Sequence, residues 1–364
     1  MNELQKAREI INEIDAEMAR LFEKRMRAAE MVAQYKKENG LPILDAGRED
    51  EIIKKGAMRI EDVTLREYYV NFLKDTMNVS KQYQSRLIEG MRVAYCGTEG
   101  AFAHIATKKI FPTAVSVAYP DFASVYDAVV DGECDAAVLP VENSYNGEVG
   151  QVTDLLFSGS LYINSMLELA VSHDLLGTEQ AELADIKEVV SHPQALAQCA
   201  YYLRANSRTA HEFTNTALAA KHVAEKNDKS LAAIASEKAA EIFGLKVLAR
   251  NINASRSNTT RFAVLSRVEN IPASKKMDVY SVLLFTVKHE AGSLAKALDI
   301  IGAYGFNMRT LRSRPMKELL WQYYFYIEIE GNIHTEEGKE MLRGLSACCD
   351  RLKMAGTFIK QEQN

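Results

Sequence analysis

The chain has few cysteines, little excess charge and no long apolar run, and each absence excludes a class of protein. Its five cysteines include no pair separated by two residues, so they form neither a zinc motif nor an even-numbered disulfide framework. The formal net charge of −5 offers no general attraction to nucleic acid. No apolar stretch reaches about 18 residues, and no apolar run follows a basic head at the start. We therefore expect a cytoplasmic protein that binds neither nucleic acid nor membranes.

The rest of the composition is that of a folded globular protein. Apolar residues make up 47% of the chain and charged residues 26%, and both values are ordinary. Because domains usually hold about 100 to 200 residues, the 364 residues predict two or three units, each long enough to bury a core.

A heptad seam marks the first unit. From Leu4 to about Tyr35, apolar residues recur at alternating steps of three and four, which predicts one long helix. Arg25 falls on this seam, where an unpaired charge would cost several kcal/mol, so it needs either a glutamate of a neighbouring helix or a bound anion. Lys36 shares its face about 16 Å along the helix, and the two cations could converge on one dicarboxylate.

A second copy of the chain is expected for two reasons. Arg8 lies about 26 Å from Arg25 along one straight helix, so it can reach only the equivalent site of another copy. A helix of about 50 Å also carries more apolar seam than one small domain covers. We therefore predict a homodimer.

Two shorter helices are predicted to follow. Asp45 caps one over residues 46–59, and Thr64 with Glu67 forms a capping box that opens the other. The first 90 residues contain no histidine and no cysteine, so proton-transfer groups are scarce while cations are plentiful. Such a unit suits a reaction without proton transfer, in which a dianion is held in a folded conformer and its developing charge is stabilised.

Eight positions resemble the site of the all-helical chorismate mutase family, in the same order and at closely similar spacing. They are Arg8, Arg25, Lys36, Asp45, Arg48, Glu49, Ser80 and Gln84. The resemblance implies that Arg8 crosses into the partner's site of a dimer. It also implies that Arg25, Lys36 and Arg48 hold the substrate carboxylates or the ether oxygen.

The same resemblance covers the other positions of this set. It implies that Glu49 takes the substrate hydroxyl and that Gln84 donates to the ether oxygen. Asp45 and Ser80 are counted with the substrate-binding residues. The implied reaction is the rearrangement of chorismate to prephenate.

Residues 91–269 have a different hydrophobic pattern from the first unit, because short apolar runs alternate with helical segments. This alternation predicts a mainly parallel sheet. Gly97 and Gly100 do not make a nucleotide fingerprint, since Ala103 stands where a third glycine would be needed. The polar loop over 140–147 follows an apolar run, and ligands of open α/β sheets bind beyond the carboxyl ends of strands.

A second polar segment, over 258–262, places two hydroxyls and a guanidinium immediately before an apolar run. The pattern predicts a loop that enters a buried strand and presents polar groups to a small anionic ligand. Ordinary turn residues would give the same pattern. His192, beside the early proline of another predicted helix, is either a surface or capping residue or a general acid.

Four segments together resemble prephenate dehydratase throughout this unit. They are Gly97-Thr98-Glu99-Gly100, Pro140-Val141-Glu142-Asn143-Ser144 with Gly147, Ser191-His192-Pro193-Gln194, and Asn258-Thr259-Thr260-Arg261-Phe262. The resemblance implies two α/β lobes around a cleft, shaped like a solute-binding protein. There prephenate loses carbon dioxide and hydroxide to give phenylpyruvate, with no cofactor. Ala101 and Ala103 depart from the family, whose members often carry a hydroxyl in this region.

The dehydratase resemblance also implies roles for single residues. Thr260 is expected to help the ring hydroxyl leave. Arg261 is expected to bind a carboxylate, with help from Asn143 and Ser144. Phe262 is counted with the substrate-binding residues.

A polar linker with a proline, over 270–276, precedes the last unit. Strands and helices are predicted beyond it in the order βαββαβ, the ferredoxin-like arrangement. Seven positions of this unit resemble the amino-acid-sensing ACT domain attached to prephenate dehydratases. They are Gly292, Ser293, Leu294, Asn307, Ser313, Arg314 and Pro315.

The ACT resemblance implies that L-phenylalanine binds between paired domains and acts as a feedback inhibitor. Two positions depart from the family. Ser293 stands in place of the family's alanine. Arg312 replaces the usual glutamate, which reverses the charge before Ser313.

The combined resemblance covers nearly the whole chain and is to the bifunctional chorismate mutase/prephenate dehydratases of phenylalanine biosynthesis. It implies a multidomain protein: an all-α mutase unit over 1–90, a two-lobed α/β dehydratase unit over 91–269 and a βαββαβ ACT domain over 277–364. The implied ligands are chorismate, prephenate and L-phenylalanine, and the implied assembly is a homodimer or higher homo-oligomer. Two other interpretations are a dehydratase with a degenerate helical dimerisation module, and an amino-acid or carboxylate binding and sensing protein.

Overall fold

The computed structural model describes residues 2–254, 257–272, 278–316 and 321–359. The chain divides into two compact units, Met1–Arg92 and Val93–Asn364. Part of the linker predicted over 270–276 lies outside the described residues, as do both ends of the last predicted domain. Within the described ranges, no helix is both long enough and apolar enough to span a bilayer.

Three helices build the first unit: α1 (Glu3–Asn39), α2 (Ala46–Ala57) and α3 (Arg66–Glu89). A capping box of Asn2 with Gln5 starts α1, and Gly40 ends it in the left-handed conformation. The capping box predicted at Thr64 is wrong, because the Thr64 hydroxyl donates to Asp62 Oδ1 at 2.7 Å. A short 3₁₀ turn there leads into α3.

The apolar seam of α1 is covered along only part of its length. Ala29 and Ala33 are buried where the C-terminal half packs against α3. In the N-terminal half Leu4, Ile11 and Ile14 remain more than half exposed. The seam that predicted the helix therefore lies open in a single chain over its first five turns.

The second unit contains three sheets and the helices that cover them. The strands are β1 (Arg92–Cys96), β2 (Val115–Tyr119), β3 (Ala136–Asn143), β4 (Gly147–Glu148), β5 (Tyr162–Ala170), β6 (Asp174–Gly177), β7 (Glu188–Ser191), β8 (Thr209–Glu212), β9 (Leu231–Ala235), β10 (Lys246–Ala249), β11 (Thr259–Ser266), β12 (Val279–Val287), β13 (Asn307–Pro315), β14 (Tyr323–Glu330) and β15 (Cys349–Ile359). The helices are α4 (Phe102–Ile110), α5 (Phe122–Val130), α6 (Gly150–Ser158), α7 (Pro193–Gln198), α8 (Ala200–Ala205), α9 (Thr216–Lys226), α10 (Glu237–Phe243), α11 (Ser293–Ala303) and α12 (Glu336–Cys348).

The first two sheets each belong to one lobe. The first has the order β2-β1-β3-β11-β5, and the second has the order β10-β6-β9-β7-β8. Parallel pairs such as β1 with β3 and β7 with β9 lie beside antiparallel ones such as β3 with β11 and β6 with β9. The prediction of mainly parallel pairing is therefore wrong, because β11 returns to the first sheet after the whole second lobe and inserts antiparallel.

The third sheet, in the order β13-β14-β12-β15, has the strand order of a ferredoxin-like fold. One of its faces packs against α11 and α12 through residues such as Leu283 and Ile327. The other face shares a core with the first sheet through Val282 and Tyr326. Most residues of its inner strands β12 and β14 are buried, whereas the edge strand β13 has no buried residue. The third sheet lies directly behind the first.

Gly356 allows two strands of these sheets to approach closely. It lies on β15 with φ of 140°, and a Cβ there would meet the backbone of Ile163 on β5. Only glycine leaves room for this crossing and adopts its conformation readily.

We expect Gly356→Ala to lower the free energy of unfolding of the second unit by roughly 1–3 kcal/mol, the cost of overpacking a filled site. Gly302→Ala is the matched control, because its methyl would meet nothing within 4 Å on α11 and should be neutral or stabilising by up to about 1 kcal/mol. Denaturant unfolding of both variants measures the difference. Equal effects would contradict the close approach.

Candidate active sites

A cavity of about 270 Å³ lies among the three helices of the first unit. Seven of the eight positions predicted for this unit line it: Arg25, Lys36, Asp45, Arg48, Glu49, Ser80 and Gln84. Arg8 is exposed on the N-terminal half of α1, seventeen residues before Arg25. One chain thus brings together every member of the predicted set except the one expected to come from a second copy.

Arg25 enters the cavity from the seam of α1. Its guanidinium donates to Ser80 Oγ and to the Thr76 carbonyl at 3.3 Å, and burial lowers its pKa. Among the described residues it has no carboxylate partner. The structure therefore does not contain the pairing with a neighbouring glutamate that the sequence left open. A cation held by neutral acceptors keeps its charge for an anionic ligand.

The other polar groups are held by local contacts. Lys36 Nζ donates to the Ile43 carbonyl at 2.5 Å, and Asp45 Oδ1 accepts from the Arg48 backbone amide at 3.0 Å. The Arg48 side chain pairs with Glu51. The lysine and the aspartate therefore fix the turn that opens α2, which carries Arg48 into the wall of the cavity.

Lys81 is a cavity residue that the sequence predictions missed. Its Nζ lies 3.0 Å from Glu49 Oε1, so it orients a predicted ligand-binding carboxylate. The helical spacing contained a signal, because Lys81 lies three residues before Gln84 and therefore close to the same face of α3.

Gln84 is buried, yet its Oε1 has no hydrogen-bond partner in the described part of the chain. A buried acceptor left without a donor costs about 1–3 kcal/mol. Only a ligand that donates a hydrogen bond to this oxygen would remove that cost.

In the second unit, the carboxyl end of β3 lies beside the start of β11. The antiparallel register pairs Thr260 with Asn143 and Arg261 with Glu142. Side chains alternate along a strand, so Asn143 and Thr260 share one face while Glu142 and Arg261 share the other. The two polar segments predicted from the sequence therefore lie side by side. One pair of their side chains is on each face of the sheet.

Asn143 is the centre of the first face. Its Nδ2 lies 2.8 Å from Asn258 Oδ1 and 2.9 Å from Thr260 Oγ1. Its Oδ1 accepts from the amides of Tyr145 and Asn146, both at 3.0 Å. These contacts fix the amide orientation, and because Thr260 Oγ1 accepts from Asn143, the threonine hydrogen remains available to donate.

Ser144 fastens the two segments to each other. Its hydroxyl donates to the Ser257 carbonyl at 2.9 Å and accepts from the Thr259 amide at 2.9 Å. Its own amide donates to the Thr259 carbonyl at 2.8 Å. In this arrangement the serine shapes the loop, and its predicted contact with substrate stays a prediction.

A hydrogen-bonded chain that the sequence did not reveal continues from Asn258 into the second lobe. Asn258 Nδ2 donates to Gln198 Oε1 at 2.9 Å, and His173 Nε2 lies 2.9 Å from the same oxygen. Because an amide oxygen only accepts, Nε2 of His173 carries the hydrogen. No local spacing connects these residues, since they come from three distant parts of the chain.

Burial lowers the pKa of His173 to about 4, so this imidazole is neutral at ordinary pH. Phe102 packs edge-on against its ring. His192, the histidine considered from the sequence, instead caps α7 by accepting from the Gln194 amide. The capping alternative for His192 is thereby confirmed.

Arg261 lies on the opposite face from Thr260 and is surrounded by carboxylates of the chain itself. Its guanidinium is 2.9 Å from Glu328, 3.3 Å from Glu142 and 3.9 Å from Glu168. Burial alone would lower the pKa of Arg261, but Glu328 and Glu142 raise it above its ordinary value. This placement directs the guanidinium away from Thr260, against the expectation of a substrate carboxylate, because neighbouring strand residues point to opposite faces. Phe262, only 2% exposed, is a core residue here.

The seven positions of the ACT resemblance lie in three places: the start of α11, the start of β13 and the end of β13. Gly292 caps this helix with φ of 85° and Ser293 begins it, and Leu294 lines a cavity of about 440 Å³. Asn307 follows the far end of the helix, about 16 Å away, where its Nδ2 donates to Glu330 at 2.9 Å. One chain therefore does not bring Asn307 to Gly292.

The end of β13 faces the first lobe. Arg314 donates to both carboxylate oxygens of Asp154, at 2.9 and 3.1 Å. The Tyr324 hydroxyl donates to the same carboxylate at 2.6 Å. Ser313 and Pro315 flank this arginine and are exposed. Arg314 is thus an anchor between the third sheet and α6.

Two protein-family models match the chain in succession. Chorismate mutase type II matches residues 7–85, and prephenate dehydratase matches residues 93–270. The matches follow the division between the helical unit and the α/β unit.

Known proteins resemble the chain over most of its length. A bifunctional chorismate mutase/prephenate dehydratase of Aquifex aeolicus is 30% identical over 99% of both chains. The structure of prephenate dehydratase from Arthrobacter aurescens, in complex with L-Phe, is 25% identical and covers 75% of this chain and 92% of its own, with a TM-score of 0.69. GqqA, described as a quorum-quenching acylase, is 30% identical and covers 74% of this chain and 98% of its own, also with a TM-score of 0.69.

The two solved structures share the fold of about three quarters of the chain, whereas the Aquifex enzyme matches it from end to end. Each family model matches one of the two units. The chain therefore belongs to the bifunctional chorismate mutase/prephenate dehydratase family.

Proposed function

We propose that chorismate is rearranged in the cavity of the helical unit and that prephenate is dehydrated where Asn143 meets Thr260. The observation that carries the first assignment is the convergence of seven predicted residues on one cavity. The second rests on the hydrogen bond from Asn143 to Thr260 Oγ1. The two reactions are consecutive, because the product of the first is the substrate of the second.

In the mutase reaction the cavity supplies positioning and charge. Arg25 and Lys36 hold the two carboxylates of chorismate in the folded conformer, and Arg48 assists when its side chain turns from Glu51 into the cavity. Gln84 donates to the ether oxygen, where negative charge develops as the C–O bond breaks. Glu49, oriented by Lys81, accepts from the substrate hydroxyl. No proton is transferred in this scheme, which agrees with the scarcity of acids and bases.

The mutase site is completed by a second copy of the chain. Arg8 is exposed on α1, and the apolar seam around it is uncovered. Pairing two such helices buries the seam and carries Arg8 of one protomer to the cavity of the other. We therefore retain the homodimer as part of the proposal, with higher oligomers as an extension of it.

In the dehydratase reaction the ring carboxylate leaves as carbon dioxide. The electron pair of the broken C–C bond enters the ring, and the ring hydroxyl is expelled. Thr260 donates its hydrogen bond to the departing oxygen, while Asn143 holds the threonine oxygen in place. Orientation and hydrogen bonding are its contribution, since a threonine hydroxyl is a weak acid.

The βαββαβ part acts in this proposal as an ACT domain that binds L-phenylalanine. Support comes from the Arthrobacter dehydratase, whose structure contains L-Phe, and from the cavity beside Leu294. Because Asn307 lies at the far end of α11, a complete effector site requires two paired domains. We further propose that the mutase domain spans residues 1–90, the dehydratase domain 91–269 and the ACT domain 277–364. The proposed location is cytoplasmic.

We expect Arg25→Ala to lower mutase turnover by roughly 100-fold or more, because one charge-stabilising donor is typically worth that much. Arg27→Ala is the matched control, since Arg27 is exposed two residues along the same helix. Chorismate consumption by both full-length variants gives the comparison, and phenylpyruvate formation from added prephenate reports on folding. Unchanged turnover in Arg25→Ala would refute the mutase site.

Thr260→Val should slow phenylpyruvate formation about 100-fold or more, because valine keeps the shape of threonine but has no hydroxyl. Thr260→Ser should keep most of the rate. Mutase activity serves as the internal control and should be unchanged in both variants. A loss of both activities together would show that the two sites are not separate.

Acid should destabilise the second unit through His173. Its folded-state pKa of about 4 lies below the ordinary value of about 6.5, so the unfolded chain takes up the proton first as pH falls. The residue thereby removes about 2 kcal/mol of stability between pH 7 and pH 5. His173→Gln should flatten this pH dependence, and denaturant unfolding of the variant and the parent at the two pH values measures the difference. An equally steep dependence in His173→Gln would contradict the assignment.

A further inference from the structure

Arg312 forms a contact between the third sheet and the active-site strands. It lies on β13, where the ACT family usually has glutamate, and its guanidinium forms an ion pair with Glu142 at the end of β3. The guanidinium also lies 5.6 Å from the ring centre of Tyr326. A residue that departs from the family pattern thus pairs with the immediate neighbour of Asn143.

Arg261 forms the second contact between the same two sheets. Cross-strand neighbours Glu142 and Glu168 flank it within the first sheet, and Glu328 reaches it from β14 of the third sheet. Glu328 is fully buried. We call Glu142, Arg261, Arg312 and Glu328 the inter-sheet ion cluster.

The inter-sheet ion cluster lies directly behind the Asn143–Thr260 pair. Glu142 and Asn143 are consecutive on β3, and Thr260 and Arg261 are consecutive on β11. Any displacement of the cluster therefore moves the backbone that carries the other face.

The strand ladder is irregular beside this position. The register between β3 and β11 shifts immediately after Arg261, so that Phe262 pairs with Pro140 and Val141 is the extra residue. A bulge interrupts regular pairing and re-aims the side chains beside it. Beyond the bulge, Glu142 and Asn143 pair with both β11 and the two-residue strand β4. The ion cluster adds a side-chain restraint to this short stretch of ladder.

We propose that Arg312 is a positioning residue for the dehydratase reaction, because by holding Glu142 it sets the place of Asn143 against Thr260. This inference rests on the proposed function, in which Asn143 and Thr260 act on prephenate. The positive charge is essential to the role. A glutamate at position 312 would bring a like charge against Glu142, within a cluster that already contains the buried Glu328.

The test compares four variants of the full-length chain: Arg312→Ala, Arg312→Lys, Arg312→Glu and, as the matched control, Arg309→Ala. Arg309 lies on the same strand, is exposed and also faces a tyrosine ring, 5.0 Å from the centre of Tyr280, with no contact to Glu142. For each variant kcat and KM are measured for prephenate, and mutase activity is measured in the same sample.

We expect Arg312→Ala to lower the dehydratase kcat about 10- to 100-fold, the effect of a displacement of about 1 Å in a catalytic group. KM should change little, because Arg312 does not touch the substrate. Arg312→Lys should restore much of the rate, Arg312→Glu should be the slowest variant, and Arg309→Ala should match the parent. Mutase activity should be unchanged in all four.

Two results would overturn the proposal: a kcat within twofold of the parent in Arg312→Ala, or an equal loss in Arg312→Ala and Arg312→Lys accompanied by a lower unfolding midpoint. The second result would show that Arg312 supports folding only. Failure of the proposed function itself would be recognised separately, because Thr260→Val would then keep the parent rate. Loss in Thr260→Val without loss in Arg312→Ala would reject only the positioning role.

Discussion

The alternation of side chains along β3 and β11 is the constraint on which the second unit depends. Because neighbours point to opposite faces, one pair of strands carries Asn143 and Thr260 on one face and presents Glu142 and Arg261 to the third sheet on the other. The residues proposed for dehydration and the residues that contact the third sheet are therefore consecutive on the same two strands. The third sheet is covered by its own helices on one side and by the first sheet on the other, so these strands have little freedom to move independently of it.

The charged groups of the helical unit have fewer partners within the chain than those of the second unit. In its cavity the cation Arg25 contacts neutral oxygens and not a carboxylate of the described residues. The neutral amide of Gln84 has a buried acceptor that is unpaired within the described part of the chain. A cation without a carboxylate partner favours the binding of a dianion. The unpaired oxygen of Gln84 costs stability until a hydrogen-bond donor reaches it. In the second unit the guanidinium of Arg261 is instead paired with the carboxylates of Glu142 and Glu328. Two arginines of similar appearance in the sequence therefore occupy opposite electrostatic environments.

Local patterns predicted much of this molecule, and long-range pairing accounts for most of the rest. The heptad seam, the cap at Asp45 and the βαββαβ order all depend on neighbours within a few turns or strands, and the structure contains each of them. Mainly parallel pairing was wrong because no local pattern shows that β11 returns to the first sheet. The sequence suggested that Arg261 binds a substrate carboxylate. Its partner Glu328 lies 67 residues away, so no local pattern could show that a carboxylate of the chain already contacts this guanidinium. His173 and Gln198 gave no signal for the same reason.

The return of β11 also affects how the second unit is made. Asn143 and Thr260 are 117 residues apart, and β11 is the strand that joins β3 to β5. Until β11 has been synthesised, the edges of β3 and β5 that it pairs with are open, and Thr260 is absent. Contacts of such high sequence separation form late and slowly, and open edges are exposed to wrong partners in the meantime. A nascent chain that stops after the second lobe would therefore have an incomplete sheet and no Asn143–Thr260 pair, while the helical unit at its start would already be fully synthesised.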